Sequence, residues 1–163
     1  MLLEGSHFIH SSPTRVFALL NDPAVLSRCV PGVKSLVLDA TDAYKALVEV
    51  AIGPVKGKFD GKIVITEKLE PQSLKLSVEF KSPVGIATGI GVLRLEPEAD
   101  GTRVHWSGEP QLMGMIASVG ARLIGGVAKV QADLFFSKLE LEAQNLESGA
   151  QNLEPGAQNL EPA

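Results

Sequence analysis

One cysteine, three histidines and no long apolar run are all that this 163-residue chain offers, and each shortage closes off a class of function. A lone thiol, Cys29, has no partner for an internal disulfide, as expected of a protein kept in a reducing cytoplasm. No stretch approaches the roughly 18 apolar residues of a membrane-spanning helix. The first ten residues, MLLEGSHFIH, hold an early acid and no basic segment, so no secretory signal is expected there. His7 and His10 fall on opposite faces of an expected first strand, and His105 lies far along the chain. No metal-ligand spacing appears, and no metal site is expected. Positive charge is not in excess either. Three of the 19 acids, Glu147, Glu154 and Glu161, lie in a tail without a base, and the other 16 nearly balance the 15 lysines and arginines. Nothing in that balance points to nucleic acid.

Hydrophobic residues make up 45% of the chain, enough for one folded domain with a core. The longest apolar pattern runs from Gln111 to Glu142. Ile116, Val119, Leu123, Val127, Val130, Leu134 and Leu141 recur in steps of three, four and seven, one stripe of a long amphipathic helix. A second stripe, Ile124, Ala128, Phe135 and Leu139, widens the face that can pack on a sheet. Four glycines, Gly114, Gly120, Gly125 and Gly126, fall in the first half, each costing about 1 kcal/mol relative to alanine inside a helix. Close packing on the sheet explains them, or a cavity beside the helix does.

Before that helix the order reads strand, two short helices, then six strands. Ser12-Pro13 and Asp22-Pro23 are helix starts, with a capping side chain followed by proline in the first turn. Val55, Gly57, Phe59, Gly61, Ile63 and Ile65 alternate with Lys56, Lys58, Asp60 and Lys62. The same period places Tyr44, Ala46, Val48, Val50 and Ile52 inward, then Leu74, Leu76, Val78 and Phe80, then Ala87, Gly89, Gly91, Leu93 and Leu95. Val104 and Trp106 point in, with Arg103 and His105 out. One wet and one buried face is the signature of an antiparallel sheet. Turns are marked by Gly53-Pro54, Pro71-Gln72 and Asp100-Gly101. With a single long helix to cover, the sheet is expected to curl around it. The fold class is therefore α+β. Residues 1–145 form the domain, and residues 146–163, rich in near-copies of the heptapeptide AQNLEPG, form a low-complexity tail. Its Gly149, Pro155, Gly156 and Pro162 oppose a continuous helix, although the first copy extends the long helix on paper.

Five phrases in order resemble the CoxG family of carbon monoxide dehydrogenase accessory proteins. They are Asn21-Asp22-Pro23, then Cys29-Val30-Pro31-Gly32, then Gly53 through Gly61 (GPVKGKFDG), then Gly114 with Ile116 through Leu123 (IASVGARL), and Phe135-Phe136. The resemblance covers residues 1–142. It implies a START-like, helix-grip fold of the SRPBCC superfamily, with about seven strands wrapped around the long helix. It also implies an accessory protein rather than a catalytic one, a protein that accompanies a molybdenum hydroxylase such as carbon monoxide dehydrogenase, contacts the inner face of the cytoplasmic membrane and binds a quinone. Some relatives end in an apolar anchor. This chain ends in a short polar repeat, so transient membrane contact is the expectation.

The inward glycines suggest an apolar cavity between sheet and helix. Its expected walls are Val50, Phe59, Gly61, Val78, Phe80, Gly89, Gly91 and Trp106 on the strands, with Met113, Ile116, Val119, Gly120 and Leu123 on the helix. Such walls suit a hydrophobic ring or isoprenoid chain, so a quinone or lipid is expected as cargo and no cofactor. No catalytic residue is expected, because Cys29 has no histidine near it in sequence and all three histidines read as surface or edge groups. The outward lysines Lys45, Lys56, Lys58, Lys62, Lys75 and Lys81 read as a solvated face, or else as a docking patch for an acidic partner. The functional expectation is a non-enzymatic binder of a hydrophobic ligand. An assembly factor without a ligand is the first alternative, and a small-molecule enzyme of the same superfamily the second.

Overall fold

A computed structural model describes residues 1–52 and 55–153, with side chains described except at 52, 55 and 146–153. The expected Gly53-Pro54 turn and residues 154–163 of the tail lie outside the described residues. The elements are β1 (Leu3–Ile9), α1 (Pro13–Leu20), α2 (Pro23–Cys29), β2 (Val33–Ala40), β3 (Ala43–Ile52), β4 (Val55–Leu69), β5 (Ser73–Ser82), β6 (Gly85–Glu98), β7 (Gly101–Met113), a short 3-10 helix (Met115–Val119) and α3 (Ala121–Leu153). All pairings are antiparallel, and the seven strands lie in the order β1-β7-β6-β5-β4-β3-β2. First and last strands are neighbours while β2 forms the far edge, so the sheet curls without closing. Register shifts at Ile65–Glu67 in β4 and at two points in β2 supply the local bends that curling needs.

The alternation read from the sequence places the lysines on the outer face, where all six are exposed. Register sets Lys58 opposite Glu49, Asp60 opposite Lys81 and Lys62 opposite Glu79, so opposite charges meet across strands. The two short helices start as expected. Ser12 Oγ accepts from the Arg15 N–H at 3.2 Å and Asp22 Oδ1 from the Ala24 N–H at 3.0 Å.

The long helix departs from its expected start. Gln111–Met113 belong to β7, paired with Ile86–Thr88. Gly114 and Gly120 have φ of 84° and 90°, left-handed values that break the chain on both sides of the 3-10 turn. They are junctions, not helix-interior residues. Only Gly125 and Gly126 of the four expected glycines fall within α3, which continues over Gly149 to Leu153.

The burial of α3 is also rotated from the longer stripe. Leu123, Val130, Leu134 and Leu141 are 39%, 57%, 45% and 61% exposed. The second stripe carries the packing: Ile124 and Leu139 are 8% and 0% exposed, joined by Phe136 and Ala143. An open sheet covers only one side of a helix, and α1 and α2 decide which. Arg28 of α2 grips Glu142 with two hydrogen bonds of 2.7 and 2.9 Å, and the His10 N–H donates to Glu140 Oε1 at 2.9 Å. Around these ties lies the main core, built from Ile9, Val16, Phe17, Leu74, Val104 and Leu139 among others. A separate, smaller cluster of Phe59 and Ile116 sits at the other end of the sheet. The molecule thus has a densely packed end and a looser one.

Candidate ligand-binding site

The looser end holds a cavity of about 290 Å³ between the inner sheet face and the first turns of α3. Strand alternation explains its sheet walls. Val48 and Val50 from β3 stand beside Phe59 from β4, with Val48 directly opposite Phe59. Phe80 of β5 lies opposite Ala87 of β6, and Ala87 opposite Leu112 of β7. Ile116 reaches in from the 3-10 helix, its own amide tied to the Val84 carbonyl at 3.0 Å. Ile124, Val127 and Ala128 face it from α3, and Leu3 and Pro110 complete the wall. Small residues keep the space open: a bulkier side chain at Ala87 or Ala128 would enter it. Every wall residue is apolar, so the cavity can hold hydrocarbon but offers no side chain that could donate, accept or transfer a proton. At Val127 it adjoins an open groove of about 720 Å³, bordered by Ala51 of β3 and by Val119, Arg122, Leu123, Gly126, Val130 and Gln131.

Comparison with known proteins agrees with this architecture. The family model for CoxG, the G component of carbon monoxide dehydrogenase, matches residues 5–144. The chain belongs to the CoxG family. Among solved structures, a conserved protein from Geobacillus kaustophilus is 34% identical with a TM-score of 0.84, covering 89% of this chain and 96% of that one. A START superfamily protein from Mycobacterium smegmatis shares the fold at 12% identity, with a TM-score of 0.68 and coverage of 89% and 98%. A Chromobacterium violaceum protein does so at 14% identity and a TM-score of 0.69, with coverage of 87% and 96%. The fold is START-like. No curated protein matches the sequence.

Within this CoxG-family domain, four of the residues expected in the wall, Val50, Phe59, Phe80 and Ile116, line the cavity together. Val119 packs on the Phe59–Ile116 cluster from the groove side. The others go elsewhere. Gly61 is buried beneath the Phe80 ring, so its missing side chain seats a neighbour instead of leaving a void. Gly91 is covered by Leu76, whose Cδ1 would lie 3.3 Å from an added Cβ. Val78 and Gly89 border a depression on the outer side of the sheet with Lys75, Glu79 and Thr88. Trp106 lies over Gly5 and packs against the main core. Met113 is 52% exposed at the end of β7, Leu123 lies in the groove, and Gly120 would point a side chain into open space. The wall also contains residues that the sequence pattern does not single out: Leu3, Val48, Ala87, Pro110 and Leu112, with Ile124, Val127 and Ala128 of α3. Alternation gives Val48 and Ala87 the right strand phase. Pro110 carries no phase of its own, and Leu112 falls in the segment expected to be helix.

The titratable groups lie away from the cavity. Cys29 is fully buried, and burial with the nearby Glu142 charge pushes its thiol up to about 11, so it stays protonated and inert. His7 stacks on Phe136 with ring centroids 4.6 Å apart and meets Asp133 at 3.3 Å; burial holds its pKa below the ordinary value. His10 and His105 pair with Glu140 and Glu96. Each histidine serves a link between elements or strands. Among the described residues no cluster of three or more His, Cys, Asp or Glu is placed to hold a metal.

Proposed function

We propose that this protein is a non-enzymatic carrier that holds a quinone or lipid as cargo and passes it between a membrane and a molybdenum hydroxylase such as carbon monoxide dehydrogenase. The observation that carries the reading is the wholly apolar cavity between sheet and helix in a CoxG-family domain. An enzyme needs a reactive or polarising group beside its substrate, and these walls supply none. Membrane contact on this reading is brief. Among the described residues no helix is long and apolar enough to cross a bilayer, while Met113, Met115 and Leu123 expose apolar surface near the groove.

Native mass spectrometry of the purified protein, with organic extraction of whatever stays bound, tests the reading directly. A quinone or lipid near one equivalent is expected, and Ala128→Phe, which fills the cavity from the helix, should lose it while keeping the fold. A protein that is empty and takes up no added menaquinone or ubiquinone would overturn the carrier and leave the assembly-factor role.

A further inference from the structure

The cavity is too small and too apolar to hold a whole quinone or lipid. At the ~30 Å³ that a small molecule occupies in a liquid, about 290 Å³ accommodates roughly ten heavy atoms. That is a segment of chain, at the lower limit of ordinary ligand pockets. A carbonyl or carboxylate pushed inside would lose its water and gain no partner, because no wall residue has a polar side chain and Pro110 lacks even a backbone N–H. The head of the ligand must lie elsewhere, and the ground that adjoins the cavity through a shared wall residue is the groove beyond Val127.

That groove is different in kind. Its floor is apolar, made of Val119, Leu123 and Val130, but its rim carries Arg122 and Gln131. Arg122 is exposed and forms no ion pair or hydrogen bond with the described residues. The two residues are nine positions apart on α3, roughly 13 Å along the axis, with Val127 between them. Both are donors: a guanidinium with five N–H groups and an amide with two.

We infer that the ligand is amphipathic and binds chain-in, head-out. About ten carbons of its hydrocarbon fill the cavity, and a head bearing acceptor oxygens rests in the groove on Arg122 and Gln131. The inference rests on the carrier reading and adds the chemistry of the head and the residues that select it. It also explains why the α3 stripe that includes Leu123 and Val130 is left uncovered: the bound molecule covers part of it. Exposing the head at the surface suits a protein that must give its cargo up.

Calorimetric titration with three ten- to twelve-carbon probes below their micelle concentrations tests this. Decylubiquinone carries a carbonyl head, dodecanoate a carboxylate and dodecyltrimethylammonium a cation. The full-length protein is expected to bind the first two and to bind the cationic probe about tenfold more weakly. Ala128→Phe should abolish binding of all three. Arg122→Gln should weaken dodecanoate by about tenfold, whereas Gln131→Leu should weaken decylubiquinone by about threefold and leave dodecanoate less affected. The two variants thus separate a carboxylate head from a quinone carbonyl. If Ala128→Phe abolishes binding but both groove variants bind both probes as the unaltered protein does, the cavity stands and the head seat is wrong. Binding the cationic probe as tightly as the others would overturn the head chemistry. An unaltered protein that binds none of the probes overturns the carrier reading along with this one.

Discussion

The rotation of α3 makes a prediction that separates the structure from the simplest reading of the chain. Leu139 and Leu141 stand two residues apart on the same helix, and both belong to apolar stripes. Leu139 is 0% exposed and sits in the main core beside Val16, Val104 and Phe136, whereas Leu141 is 61% exposed. Truncating a fully buried leucine to alanine removes its transfer free energy and leaves a hole, so Leu139→Ala should cost about 3 kcal/mol, within a usual span of 2–5. In a chain of 163 residues each kcal/mol lowers the melting midpoint by about 2–4 °C, which puts the loss near 6–12 °C. Leu141→Ala removes little buried area and exchanges one good helix former for a better one, so its effect should stay within about 0.5 kcal/mol. Leu134→Ala, at a site 45% exposed, should behave like Leu141→Ala. Urea melts followed by far-ultraviolet circular dichroism and by fluorescence of the single tryptophan, Trp106, which packs against the same core, would read both secondary structure and packing. Equal losses at positions 139 and 141 would mean that the sheet covers both stripes, and the open-sheet account of the helix would be wrong.

Two further predictions concern the glycines and the helix clip. Gly61→Ala must push aside the Phe80 ring, an overpacking cost of about 1–3 kcal/mol, while Gly57→Ala, with nothing within 4 Å of its Cβ position, should be nearly neutral in the same denaturation assay. Glu142 is held below its ordinary pKa of 4.5 chiefly by the hydrogen bonds from Arg28. A carboxylate with a depressed folded pKa gives stability that is complete above the unfolded value and fades as pH falls through the folded one. Glu142→Gln should therefore be less stable than the parent near pH 7, with the gap closing below pH 4.5; a gap that persists unchanged at low pH would show that the clip does not depend on charge.

Much of this fold was legible because its strands carry charge on one face only. Lysines at alternate positions fixed the phase of β3, β4 and β5, and with it the inner faces from which Val50, Phe59 and Phe80 reach the cavity. The helix was harder for two physical reasons. Leu, Val and Phe recur on two faces of α3, and no local pattern says which of them α1 and α2 will press against the sheet. Gly114 and Gly120 look the same in sequence whether they are tolerated inside a helix or adopt the positive φ that ends one.

The strand glycines show what the missing information was. A glycine on an inner face is either a void or a seat, and its cross-strand partner decides which. Gly61 lies opposite Phe80, Gly91 opposite Leu76 and Gly5 opposite Trp106; in each case the long partner folds across and fills the place. Gly57 lies opposite Val50, too short and too stiff at its branched carbon to do so, and the space over Gly57 stays open. Pairing register, which alternation alone does not give, therefore sets the size of the cavity. Val50→Phe should bring the ring across Gly57 as Phe80 is brought across Gly61, narrowing the cavity from the β3 side. Uptake of a ten-carbon probe should fall without the loss of stability expected for Gly61→Ala. If the variant instead binds the probe as the parent does, the ring has turned away, and partner length is not what closes a glycine gap in this sheet.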